Sequence, residues 1–291
     1  MLCKQEITLA SDPYLKKASC WYDSETEITA RILYFHGGGL LFGSREDIPL
    51  LHREFLTQKG CLLIACDYPL APNAKIELIL HDVCASINTS RSITQFSQTA
   101  CLPYFLWGRS AGAYLVLLAA SSGALSVPPA GILSYYGYGF FMDGWHTSPT
   151  PFYQTLPAVS DSCLERLPAG LSADGALERH YSAYIYARQS GRWKDLFFSG
   201  KDKVFYSRYS LQSAASLPAP LFCAHSIGDP DVPYQEFMEL CRRFHAAQYI
   251  APCSAHDFDQ DTASDFTKEL LEATSAFIAS CMGGIHCAAK I

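Results

Sequence analysis

The sequence predicts an α/β fold: a mostly parallel sheet with helices on both faces and a long segment inserted late in the chain. Three observations point this way. Short apolar runs alternate with helical stretches, the rhythm of βαβ units. The 291 residues are 49% hydrophobic and only 17% charged, enough apolar material for one large core and too little charge for a disordered chain. Finally, about eighty residues separate the run ending near Tyr136 from the one starting near Ala219, far more than an ordinary connection needs.

Taken in order, CKQEITLA (3–10) and KASCWYDS (17–24) read as an opening hairpin with SDPY as its turn. Buried strands follow at ARILYF (30–35), CLLIAC (61–66), YFLW (104–107), AGILSYY (130–136) and APLFCAH (219–225), with a last one at AAQYIAP (246–252). Helices fit 46–59, 74–89, 111–122, 233–246 and 262–280, the last closed by Gly283 and Gly284. Residues 137–206 are expected to form a cap over one end of the sheet, with one short helix at 176–189. Both ends of this insert return to the same alternation, so residues 1–291 read as a single domain.

Composition excludes several function classes. The net charge is -6 and no run of Lys and Arg is long enough to form a basic surface, which argues against nucleic acid as a partner. The N-terminal stretch has no signal-peptide core and no apolar run reaches membrane-spanning length, so a cytoplasmic protein without a membrane partner is expected. The 12 cysteines are scattered without any C-x-x-C pair. They read as small buried hydrophobes rather than metal ligands or disulfides.

The chemistry concentrates in a few short stretches. Gly108-Arg109-Ser110-Ala111-Gly112 is G-x-S-x-G between a strand and a helix, the context in which a serine is presented on a sharp turn as a nucleophile. A Gly/Ser turn alone is common, and the flanking elements are what give the motif meaning. YFHGGGLLFGS (34–44) places three glycines directly after a strand, where backbone N–H groups can face a site unobstructed. The amides of Gly38 and Gly39, with that of Ala111 after the serine, are candidates to hold an oxyanion. His36 is expected to brace this loop.

A serine nucleophile needs a base, and the base needs a carboxylate to orient it, in the order Ser, Asp or Glu, His for this architecture. SIGDPDVPY follows the strand at 219–225 and offers Asp229 and Asp231. Asp229 is preferred because it comes first after Gly228, whereas Asp231 is placed to enter the next helix. His256 follows the final strand in CSAHDFDQ. His245 continues a helix and His286 falls in the C-terminal tail, which leaves His256 as the base.

The ordered set HGGG, DYPLAP (67–72), GRSAG, GDPDVP and HDFD resembles the α/β-hydrolase esterases of the hormone-sensitive-lipase and feruloyl-esterase-like groups. The resemblance covers roughly residues 30–278. It implies the α/β-hydrolase fold with an eight-stranded sheet, and Ser110, Asp229 and His256 as the triad. Arg109 stands where the hormone-sensitive-lipase group usually has an acidic residue. His36 lies too near the start for that group's N-terminal cap, so the insert at 137–206 is expected to supply the lid.

The function expected is hydrolysis of a small-molecule carboxylic ester through an acyl-enzyme, requiring no metal or organic cofactor. An amidase or peptidase on the same residues is the nearest alternative, and a non-catalytic binding protein on this fold is a further one. Aromatic residues crowd the insert, among them Phe152, Tyr153, Tyr181 and Tyr184. They predict an apolar or aromatic substrate, with Arg188 or His180 as polar handles in the pocket.

Overall fold

The computed structural model describes residues 1–288, with side chains through Gly284. The chain runs β1 (Leu2–Ala10), β2 (Lys16–Asp23), β3 (Ala30–Phe35), α1 (Leu50–Gln58), β4 (Cys61–Cys66), α2 (Ile76–Thr89), β5 (Tyr104–Arg109), α3 (Ala111–Ser121) and β6 (Gly131–Tyr135). Four helices follow before the next strand: α4 (Pro151–Gln154), α5 (Leu177–Ser190), α6 (Trp193–Phe197) and α7 (Asp202–Arg208). The chain then passes through β7 (Leu221–Ser226), α8 (Tyr234–Phe244), β8 (Ala247–Ala251) and α9 (Asp265–Ala288).

The strands form one eight-stranded sheet in the order β1-β2-β4-β3-β5-β6-β7-β8. β1 pairs with β2 and β2 with β4 antiparallel, and every other pairing is parallel. Every residue of β3, β4, β5, β6 and β7 is buried. A continuous apolar run suits such a strand because helices cover both of its faces. Residues of alternating parity supply the two layers. Leu33, Phe35 and Leu106 pack with α2, α3 and α8 on one face. Ile32, Tyr34 and Trp107 pack with α1 and α9 on the other.

Helix α3 is apolar all round and buried from Ala111 to Ala120, as expected for a helix at the centre of the layer. Its entry is crowded. A Cβ on Gly112 would lie 2.0 Å from the Phe35 carbonyl oxygen, and one on Gly108 would lie 2.2 Å from the Gly112 carbonyl carbon. Glycine at both positions lets strand and helix approach this closely.

Some element limits differ from those expected. α1 starts at Leu50 rather than residue 46, because Pro49 pushes Ile48 away from helical backbone. α9 does not stop at Gly283 and Gly284 but continues to Ala288. Glycine weakens a helix by about 1 kcal/mol without ending it, and Cys281 and Met282 pack on the core just before the pair. The segment between β6 and β7 holds four α-helices and two short 3-10 helices where one helix was expected. The His286 side chain lies outside the described residues. The cysteines described are all free thiols, and burial pushes those of Cys20 and Cys61 up to about 12. No described helix is long and apolar enough to cross a membrane.

The glycine contact gives a stability test. Gly112→Ala is expected to cost about 1–3 kcal/mol by overpacking the strand–helix crossing. A lower urea midpoint with an unchanged slope would record it.

Candidate active site

The candidate residues gather because each follows the C-terminal end of a parallel strand, the edge where open α/β sheets build their sites. Gly38 and Gly39 follow β3, Ser110 follows β5, Asp229 follows β7 and His256 follows β8. Ser110 has φ 51° and ψ -116°, a backbone conformation rarely adopted by a residue with a side chain. Its N–H donates to the Tyr135 carbonyl at 2.9 Å and its carbonyl accepts from Tyr114 at 3.0 Å. The turn is therefore held from both sides, with the Ser110 side chain at its apex.

His256 Nε2 lies 2.9 Å from Ser110 Oγ, and Nδ1 lies 2.7 Å from Asp229 Oδ2. The other Asp229 oxygen accepts the N–H groups of Asp231 at 2.8 Å and Val232 at 2.9 Å. His225, at the end of β7, places Nε2 3.2 Å from Asp229 Oδ2. Burial pushes the Asp229 carboxyl up, but His256 and His225 outweigh it and hold the group well below the usual carboxylate range. For His256 the balance is reversed in sign. Burial pulls the imidazole down, and the Asp229 charge and hydrogen bond, with Asp231 and Asp257 behind, raise it above its ordinary 6.5.

Opposite the serine, Gly38 and Gly39 adopt positive φ values of 88° and 59°. Among the described residues, no protein acceptor takes a hydrogen bond from the amide of Gly38, Gly39 or Ala111. Gly38 and Gly39 line the cleft, and Ala111 directly follows Ser110. His36 lies fully buried beneath the loop, stacked on Tyr68 at 4.3 Å, with Nδ1 2.9 Å from the Gly37 carbonyl. Burial pushes its imidazole down to about 4, so the brace is uncharged.

A cleft of about 800 Å³ opens over Ser110 and His256. This lies within the range of small-molecule pockets. Phe42 and Tyr136 wall one part; Phe152, Tyr153, Tyr181 and Tyr184, all from the segment between β6 and β7, wall another. Among the described residues, no group of three or more His, Cys, Asp or Glu side chains is arranged to hold a metal ion.

Three expectations need correction here. Asp231 does not start α8: the residue before that helix is Pro233, and no side chain caps it. Asp231 instead accepts the Tyr184 hydroxyl at 2.8 Å and lies 3.2 Å from Arg188. Arg188 does not line the cleft, because this pairing and the rings of Trp145 and Trp193, 5.0 and 5.3 Å away, enclose it. His180 is buried with Nδ1 2.9 Å from the Leu41 carbonyl, away from the cleft lining. His225 was missed altogether, and its only signal in the sequence is a strand-terminal histidine four residues before Asp229.

The two aspartates should separate by experiment. Asp229→Asn is expected to cut kcat by about 10⁴ and to move the acid limb of kcat/KM downward, since the charge that raises His256 is removed. Asp231→Asn should keep kcat within about tenfold while costing about 1.5–3 kcal/mol of stability through its lost charged hydrogen bonds. A pH–rate profile and a thermal melt of each variant distinguish the two.

Residues 32–166 match the pattern of the alpha/beta hydrolase fold family. The chain is 34% identical over 91 residues to kynurenine formamidase of Danio rerio, covering 31% of this chain and 29% of that protein. It is 28% identical over 213 residues to a non-reducing polyketide synthase of Preussia isomera, covering 66% of this chain and 8% of the synthase. The chain thus spans less than about a third of the length of these curated relatives. Among solved structures, an alpha/beta hydrolase superfamily protein from Enterococcus faecalis superposes with TM-score 0.79 at 25% identity, covering 94% of this chain and 98% of the other. A protein with unknown function from Staphylococcus aureus gives 0.79 at 24%, covering 97% and 99%. An esterase from Pyrobaculum calidifontis gives 0.68 at 17%, covering 96% and 85%. Sheet order, the strained serine turn and these matches agree: the chain has the alpha/beta hydrolase fold.

Proposed function

We propose that this protein is a serine hydrolase that cleaves carboxylic esters of small-to-medium size with an apolar or aromatic part. The observation that carries this reading is the unbroken line Ser110–His256–Asp229, at 2.9 and 2.7 Å, beside the amides of Gly38, Gly39 and Ala111, which donate to no described protein acceptor. His256 takes the Ser110 proton as Oγ attacks the ester carbonyl. Asp229 keeps Nδ1 protonated and stabilises the imidazolium that forms. The amides of Gly38, Gly39 and Ala111 receive the negative oxygen, and each such donor is worth about 2.7–4 kcal/mol to the transition state. His256 then protonates the leaving alcohol and activates water to release the acid.

Esterases among proteins of the same fold support the ester reading. The formamidase of Danio rerio favours a second one, cleavage of an amide. Amide cleavage asks more of His256, because a poorer leaving group must be protonated before it departs. Parallel rates on a matched aryl ester and formanilide decide between them.

The segment at 137–206 is proposed as a lid. Phe152 and Tyr181 stand in the cleft wall, whereas Tyr138, Phe141, Trp145 and Trp193 pack on one another with centroids 5.3–6.5 Å apart and join the segment to the main core beside α3.

Ser110→Ala is expected to lower turnover by at least about 10⁴-fold in a folded protein that no longer takes a fluorophosphonate label. Activity near the wild-type level in such a sample rules the mechanism out. Phe152→Ala and Tyr181→Ala should raise KM for aryl esters more than for short alkyl esters, with labelling of Ser110 retained. Unchanged selectivity would assign both rings to the lid's own packing.

A further inference from the structure

We infer that Arg109, Asp259 and Tyr136 form a buried strut that fixes the nucleophile turn against the His256 loop, and so act as positioning residues for the reaction proposed above, on which this inference rests. Arg109 is the last residue of β5, immediately before Ser110, and Asp259 lies three residues after His256. Arg109 Nη2 donates to Asp259 Oδ1 at 2.9 Å, with side chains only 3% and 0% exposed. Tyr136, just past β6, donates its hydroxyl to the same oxygen at 2.9 Å and accepts from Arg109 Nε. Its ring packs edge-on against the His256 imidazole, with centroids 4.7 Å apart. His52 of α1 places Nε2 2.9 Å from the other Asp259 oxygen.

Arg109 has further neighbours, among them the Gln260 side-chain amide, whose oxygen in the flipped orientation accepts from Nη1 at 2.7 Å and Nη2 at 2.6 Å. Its Nη1 donates to the Asp47 carbonyl at 3.3 Å and lies 3.8 Å from the Asp47 carboxylate, which in turn accepts the Tyr34 hydroxyl at 2.7 Å. A buried ion pair is a poor device for stability alone, since apolar side chains of equal volume often do as well. This one differs in what it spans. It joins the residue before the nucleophile to the loop carrying the base, and its third member touches the base itself. Proton transfer between Ser110 and His256 depends on their separation, and displacement by about 1 Å can cost about 10²-fold in rate.

The test uses the full chain with Asp259→Asn, which keeps shape but not charge, and Tyr136→Phe, which keeps the ring on His256 but loses the hydroxyl tie. Each is expected to lower kcat by about 10–100-fold while KM for a short chromogenic ester stays within about threefold. The second-order rate of fluorophosphonate labelling at Ser110 should fall in parallel, although labelling still reaches one per chain. The double variant should lose little more than the worse single one, because the residues act as a unit. A loss of melting temperature with kcat and labelling rate within about twofold of wild type overturns the inference, as does a rise in KM alone. If Asp259→Asn fails to fold, Tyr136→Phe carries the test, since it leaves the Arg109–Asp259 pair intact. Absence of labelling in the wild type would instead overturn the hydrolase reading.

Discussion

Everything at the site depends on the sharp turn between β5 and α3. Ser110 is held at φ 51° in a conformation that costs on the order of 1–3 kcal/mol. Its surroundings make that conformation the best available. β5 is buried on both faces between β3 and β6, and α3 is buried from Ala111 to Ala120. Each large apolar side chain withdrawn from water contributes about 1.5–3 kcal/mol. Several such residues flank the turn, so strand and helix cannot separate to relax the serine. The two glycines remove the atoms that would otherwise keep them apart.

Charge is organised around the turn in two buried carboxylates with different partners. Asp229 accepts two backbone N–H groups and the His256 imidazole, with His225 3.2 Å away, and Asp259 accepts a guanidinium and a phenol, with His52 2.9 Å away. In both, burial opposes the charged form and the neighbours outweigh it, which leaves the carboxyl well below its usual range. Asp47, beside the same cleft, falls the other way: burial pushes its carboxyl up to about 6 even though Arg109 and Tyr34 pull it down. Partner count and distance decide the difference, since Arg109 is 2.9 Å from Asp259 but 3.8 Å from Asp47.

The segment between β6 and β7 is tied to the site at two places. Tyr184 bonds Asp231, two residues past Asp229, and a Cβ on Gly39 would lie 2.2 Å from the Tyr184 ring. Trp193 donates its indole N–H to the Gly39 carbonyl at 2.8 Å. The same segment therefore walls the cleft and braces both the glycine loop and the loop carrying Asp229. Changes in its packing will reach the site through Tyr184 and Trp193.

Much of this was legible in the sequence, because the signals involved are local. Apolar runs mark strands covered on both faces, glycines two residues either side of Ser110 mark a tight crossing, and a loop residue just past a strand lands at the sheet's C-terminal edge. Ser110, His256, Asp229 and the glycine loop could be named from such signals. Side-chain partners far apart in the chain carry no such mark. Arg109 and Asp259 are 150 residues apart, and Asp231 and Tyr184 are 47 apart. Asp231 looked like a helix-entry residue because aspartate before a helix usually is one. Local chemistry determined which turn presents the serine and which strand ends carry its partners. Only the tertiary structure decided which buried charges neutralise one another, because pairing in a low-dielectric interior depends on distances of a few ångströms between elements that do not adjoin in sequence.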